Sequence, residues 1–239
     1  HIYIYMEIEH KNQNNNNFED VMELFEIDFV YENNPIKRVL DQPTLKDKQS
    51  LLENLKNKIL NISDCKLKTN ATQIVFNDGD IESPIMVVGE GPGQKEDAMG
   101  KPFVGDAGIL LNKMLEAINI ERSKVYITNV VNYRPPNNRK PEPSEINRYS
   151  LFLKEHINII KPKILILMGS TAMESLFGQT VKISKERGKW KDLIINQNLY
   201  QTILTFHPAY LLRQPDQKRY SWADLKMIKK KIEEQKIRI

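Results

Sequence analysis

Three residues with useful chemistry stand at the ends of apolar segments. Glu90 follows Pro84–Gly89, Asn129 lies within Val125–Val131, and His207 follows Leu199–Phe206. An acid, an amide and an imidazole that share a cleft can read the edge of a small ring and protonate or polarise it. His207 is the candidate imidazole by elimination. His1 and His10 fall in an N-terminal stretch crowded with Asn and acids, and His156 falls beside Lys154 and Glu155 in a helical pattern. Singly, each residue has a plainer reading: Asn129 as a turn or cap residue, His207 as a satisfied surface imidazole, Gly89–Gly93 as a tight turn. That turn is not a dinucleotide fingerprint, because Gln94 stands where the third glycine would be. Nor is there a phosphate-binding P-loop, since Gly100-Lys101 runs into Pro102. The loop Gly100–Gly105 carries Phe103, either a core residue or a platform on which a planar ring can stack. The loop from Arg134 to Arg139 is rigid and basic; it suits phosphate contact and equally an ordinary exposed turn.

The elements around these residues alternate between strand and helix. Thr72–Phe76 reads as a short edge strand, and Pro84–Gly89, Val125–Val131, Lys163–Met168 and Leu199–Phe206 read as buried strands. Between them, Ala107–Ile118 keeps Leu110, Leu111, Met114 and Leu115 on one helical face. A second helix, capped by Ser144, is expected to run to Ile160, and a third from Ser170 to Phe177, stopped by Gly178. A basic helix is expected from Trp222 onward. Such alternation implies a parallel sheet covered on both faces, with a site at the carboxyl ends of its strands. This rule alone brings Glu90, Asn129 and His207 together.

Upstream, Asn12–Asn17 is low in complexity and is expected to be disordered, and Phe18–Glu32 to form an acidic amphipathic helix. Thr44 is expected to cap a helix carrying Leu45, Leu52, Leu55, Ile59 and Leu60. The chain therefore divides into an acidic extension, residues 1–50, and a core domain, residues 51–239. Residues 1–50 hold five Lys/Arg and ten Asp/Glu; the remainder holds 30 and 21, a balance of +9. A basic body suits a polyanionic partner, although a solvated lysine-rich surface accounts for the charge as well. No apolar run approaches a membrane span, and no secretory signal is visible, so a cytoplasmic protein is expected. One cysteine, Cys65, excludes a disulfide framework and a multi-cysteine metal site.

Taken in order, GEGPG (Gly89–Gly93), KPFVG (Lys101–Gly105), TNVV (Thr128–Val131), RPPNNR (Arg134–Arg139) and FHPAYLLR (Phe206–Arg213) resemble the motifs of family 4 uracil-DNA glycosylases. The resemblance covers roughly residues 62–228. It implies an α/β fold: a three-layer α/β/α sandwich with a central, mostly parallel four-stranded sheet, plus the N-terminal helical extension. It also implies a monomeric DNA-repair hydrolase that flips uracil out of single- or double-stranded DNA, cuts its N-glycosidic bond and leaves an abasic site. Glu90 and His207 would be catalytic. Gly91, Phe103 and Asn129 would bind the base. Arg134, Arg139, Leu211, Leu212 and Arg213 would contact DNA, the leucines as a wedge. A DNA-binding relic without catalysis is the alternative; the retained Glu90, Asn129 and His207 argue against it. In this family four cysteines hold an iron–sulfur cluster. Here those positions are Ile62, Cys65, Tyr133 and Tyr149, so no cluster and no other metal or cofactor is expected. The four side chains are expected to pack together instead.

Overall fold

The computed structural model describes residues 44–178 and 182–239. The expectations for Asn12–Asn17 and Phe18–Glu32 lie outside the described residues. Four parallel strands form the centre of the sheet: β2 (Ile85–Gly89), β3 (Tyr126–Asn129), β4 (Ile164–Met168) and β6 (Asn198–Thr205). Among the described residues the sheet has two antiparallel edge strands beyond the four expected. The two-residue β1 (Asp78–Gly79) pairs antiparallel with β3, and β5 (Trp190–Ile195) pairs antiparallel with β6, giving the order β1-β3-β2-β4-β6-β5. The β5–β6 turn is Asn196-Gln197, both at positive φ. Such a turn normally announces itself as Asn-Gly, which is why the hairpin is hard to read from sequence. Thr72–Phe76 is not a strand. The Asp97 carboxylate accepts from the Thr72 N–H and hydroxyl, which draws the start of this segment off the sheet. Its end is tied by Thr128 Oγ1, which donates to the Phe76 carbonyl, and by the Val75 N–H, which donates to the Asn132 carbonyl.

Nine α-helices are described: α1 (Leu45–Leu60), α2 (Lys66–Asn70), α3 (Gln94–Met99), α4 (Asp106–Glu116), α5 (Pro143–Ile160), α6 (Ser170–Phe177), α7 (Ile183–Glu186), α8 (Pro208–Arg213) and α9 (Lys218–Glu234). Strand residues divide by parity between the two faces of the sheet. Met86, Val88, Leu165 and Leu167 join α1, α5 and α6 in one core, with Leu55, Ile59, Leu153, Ile157 and Met173. Ile85, Val87, Ile164 and Ile166 join α4 and α9 in the other, with Leu111, Leu115, Leu225 and Ile228. This is the three-layer sandwich, and burial on both faces explains the unbroken apolar strands.

Helix ends follow local chemistry. Thr44 caps α1, in a reciprocal pair with Asp47. α5 begins at Pro143 with Glu142 as its cap, not at Ser144, because a residue without an N–H fits the first helical position. α9 begins at Lys218, four residues before Trp222. Among the described residues no helix is long and apolar enough to cross a membrane.

Candidate active site

The chain leaves β2 for β3 on one side and reaches β4 on the other. A crevice must therefore open at the carboxyl ends of these neighbouring strands. The register pairs Gly89 with Asn129, so Glu90 leaves its strand beside Asn129. A cavity of about 900 Å³ occupies this place. Glu90, Gly91, Phe103, Asn129 and His207 all line it, as do Arg139 and Arg213.

Each side chain is held in a definite way. Asn129 is 4% exposed, and among the described residues its amide has no hydrogen-bond partner. Its Oδ1 lies so close to Gly89 that a Cβ there would sit 2.4 Å from it, and the Phe103 ring would be equally close. Phe103 is 5% exposed and its backbone is left-handed, at φ 53. Its ring stacks on the His207 imidazole with centroids 5.5 Å apart. His207 lies two residues past β6 and caps α8: its Nδ1 accepts from the Ala209 N–H, 3.2 Å away. The proton of a neutral imidazole must then sit on Nε2. Burial, and then the Arg213 charge, push the pKa of His207 down to about 4, so the ring is neutral at physiological pH. One oxygen of Glu90 accepts from the buried hydroxyl of Thr171, 2.5 Å away, which leaves the other oxygen free of that contact.

Three supports, two of them buried, escape sequence reading. Thr171 orients Glu90. Glu96 accepts from the N–H groups of Gly93, Val104 and Gly105 at 2.7–3.1 Å, joining the glycine-rich turn to the Phe103 loop. The Gly93-x-x-Glu96 spacing, which supplies only the acidic half of a capping box because glycine has no side chain to accept, was the available signal. Arg122 grips the same loop from outside the cavity. Thr171 and Arg122 have no local signature, since their partners are distant in sequence.

The outer residues do not all face the cleft. Leu211 is 1% exposed and packs in the core with α4, so it is not available to DNA; Leu212 is 43% exposed. The spacing of a six-residue helix sends these neighbours in different directions. Arg139 is committed to a bidentate pair with Glu145 at 2.7 and 2.8 Å, which leaves it a reduced capacity for phosphate. Arg134 bonds Asn138 and does not line the cavity. Arg213 lines it without an ion pair among the described residues.

The residues at the four cluster positions do not fit an iron–sulfur group. Cys65 Sγ lies 3.3 Å from the Tyr149 hydroxyl. Tyr133 and Tyr149 are buried, and Ile62 and Cys65 pack against the same core. Burial, and then Cys65, push both phenols above their usual pKa range, so they are protonated rather than phenolate. One thiol, two neutral phenols and an alkyl chain cannot supply four thiolates.

The chain matches the family described as the uracil DNA glycosylase superfamily over residues 76–226. It is 41% identical to a type-4 uracil-DNA glycosylase of Thermotoga maritima over 167 residues, covering 70% of this chain and 85% of the relative. It is 39% identical to that of Sulfurisphaera tokodaii, covering 74% and 83%, and 34% identical to that of Archaeoglobus fulgidus, covering 74% and 91%. With its cleft at the switch point of a parallel sheet and similarity over most of these relatives' length, the chain belongs to the uracil-DNA glycosylase superfamily, among the type-4 enzymes.

Proposed function

We propose that this protein removes uracil from DNA by hydrolysing the N-glycosidic bond, leaving an abasic site. The observation that carries this reading is the unpartnered Asn129 amide, walled in beside the Phe103 ring and the Nε2 face of His207. A base within a duplex is out of reach, so it must be flipped into the cavity, at a cost of a few kcal/mol. Phe103 then stacks on its face. Asn129 accepts from the N–H of the uracil edge and donates to the neighbouring carbonyl; cytosine presents the reverse pattern and is rejected. As the bond breaks, positive charge grows on the sugar and negative charge on the departing base. His207 Nε2–H donates to the uracil oxygen that gains this charge, and Glu90 positions the attacking water or balances the sugar. Leu212 fills the space the base leaves, and Arg213 and Arg134 hold the backbone.

The reading includes no iron–sulfur cluster: Ile62, Tyr133 and Tyr149 with Cys65 pack in its place. It is also a reading of a monomer, because a single chain builds the whole cleft, and of a cytoplasmic protein, as the sequence suggests. The test is release of base from single- and double-stranded oligonucleotides with one uracil, followed by cleavage at the abasic site. Strand breaks confined to uracil-containing substrates are expected. Retention of DNA without base release would leave a binding protein and overturn the proposal.

A further inference from the structure

We infer that Arg122, which does not line the cavity, is a positioning residue that sets the Phe103 ring over the bound base. The inference rests on the function proposed above. Phe103 sits at φ 53, a conformation unfavourable for a residue with a Cβ, and one that persists only where surroundings enforce it. Glu96 holds the N–H groups that follow Phe103, and one guanidinium holds its carbonyl side. Arg122 Nη1 donates to the Phe103 carbonyl at 2.9 Å and to Asn112 Oδ1 at 3.1 Å. Nη2 donates to the Pro102 carbonyl at 2.7 Å and to Asp78 Oδ2 at 2.9 Å. Nε donates to the same Asp78 oxygen at 3.0 Å. A guanidinium has five N–H groups in a planar fork, and these five bonds use every one.

The geometry couples this grip to the cleft. With the Pro102 and Phe103 carbonyls turned toward Arg122, the Phe103 side chain projects the opposite way, against Gly89 and His207. Two glycines make room. A Cβ on Gly108 would lie 1.9 Å from the Phe103 carbonyl oxygen, and one on Gly89 would lie 2.4 Å from the ring. The loop is thus clamped between α4 and Arg122, and the clamp is anchored through Asp78 to β1 at the sheet edge. Lysine presents three donors from a single nitrogen and no planar fork, so it cannot reproduce five bonds spread over two successive carbonyls, Asn112 and a carboxylate.

The test is a double-mutant cycle on single-turnover uracil release, using the full chain. Arg122→Met should slow release by about tenfold to a hundredfold. Arg122→Lys should recover little of the loss, because the charge remains but the fork does not. In a Phe103→Ala background, Arg122→Met should change the rate by less than about twofold, since no ring is left to position. If the effects of Arg122→Met and Phe103→Ala simply multiply, or if Arg122→Lys restores the full rate, the inference is overturned. If Arg122→Met does not fold, Arg122→Lys against Phe103→Ala supplies the same cycle. A wild-type protein that releases no uracil would sink the proposed function itself, a result distinct from multiplicative effects in an active enzyme.

Discussion

His207 is a donor without a charge. Its Nδ1 is occupied by the Ala209 N–H, and its pKa is held near 4, so near neutrality the ring takes up no second proton and carries its single one on Nε2. Such a group interacts weakly with a neutral base and strongly with one gathering negative charge, so its effect belongs to the transition state. His207→Ala should therefore lower single-turnover base release by about two to three orders of magnitude while DNA affinity changes little. Equal losses in rate and affinity would assign the ring to binding instead. Asn129 makes the complementary case. An amide both donates and accepts, whereas a carboxylate only accepts unless protonated. Asn129→Asp should erode uracil release and relax discrimination against cytosine, read as base release from matched uracil and cytosine oligonucleotides. Unchanged uracil activity would make Asn129 a structural residue.

At the scale of elements, α8 assigns opposite tasks to neighbouring leucines. Leu211 faces α4 in the core, and Leu212 stands exposed to solvent. Leu211→Ala should destabilise the fold by about 2–5 kcal/mol, seen in denaturant titration, because it opens a cavity in a packed core. Leu212→Ala should leave stability within about 0.5 kcal/mol of wild type. It should slow uracil release from duplex DNA more than from single strands, where no stacked hole needs filling. Equal slowing on both substrates would remove Leu212 from the wedge role.

Over the whole molecule, two consequences follow from what is buried. The segment before β1, the loop after β3 and helix α5 are joined by Ile62, Cys65, Tyr133 and Tyr149 through side-chain packing. Burying such side chains contributes roughly 1.5–3 kcal/mol each. Purified protein should contain no stoichiometric iron or sulfide, and its thermal midpoint should not move with a chelator; a brown, iron-loaded protein would refute this. Acid stability follows from the histidines. Burial pushes His156 down to about 3, and His207 lies near 4, against about 6.5 unfolded. Above pH 6.5 both rings are neutral in both states and stability does not respond. Below it the unfolded chain takes up protons that the folded chain refuses. Stability should fall by about 1.4 kcal/mol per pH unit for each ring until its folded pKa is reached. Denaturant midpoints at pH 7.5 and 5 measure this, and His156→Gln should flatten the slope.

Much of this was legible in sequence because it is periodic or local. Apolar strands between helical stripes dictated a parallel sheet, and the rule that sites form at carboxyl ends brought Glu90, Asn129 and His207 together. Motif order carried the resemblance, and Thr44 announced its own cap. The residues that hold the site were not legible. Arg122 reaches back to Asp78 and Pro102, Thr171 reaches Glu90, and no spacing in the chain encodes either contact. Which of Leu211 and Leu212 faces the core depends on how α8 is rolled against α4. The edge strand β5 owes its place to pairing with β6. Periodicity records which faces a chain must bury; only the folded packing decides which distant side chains meet there, and at what angle.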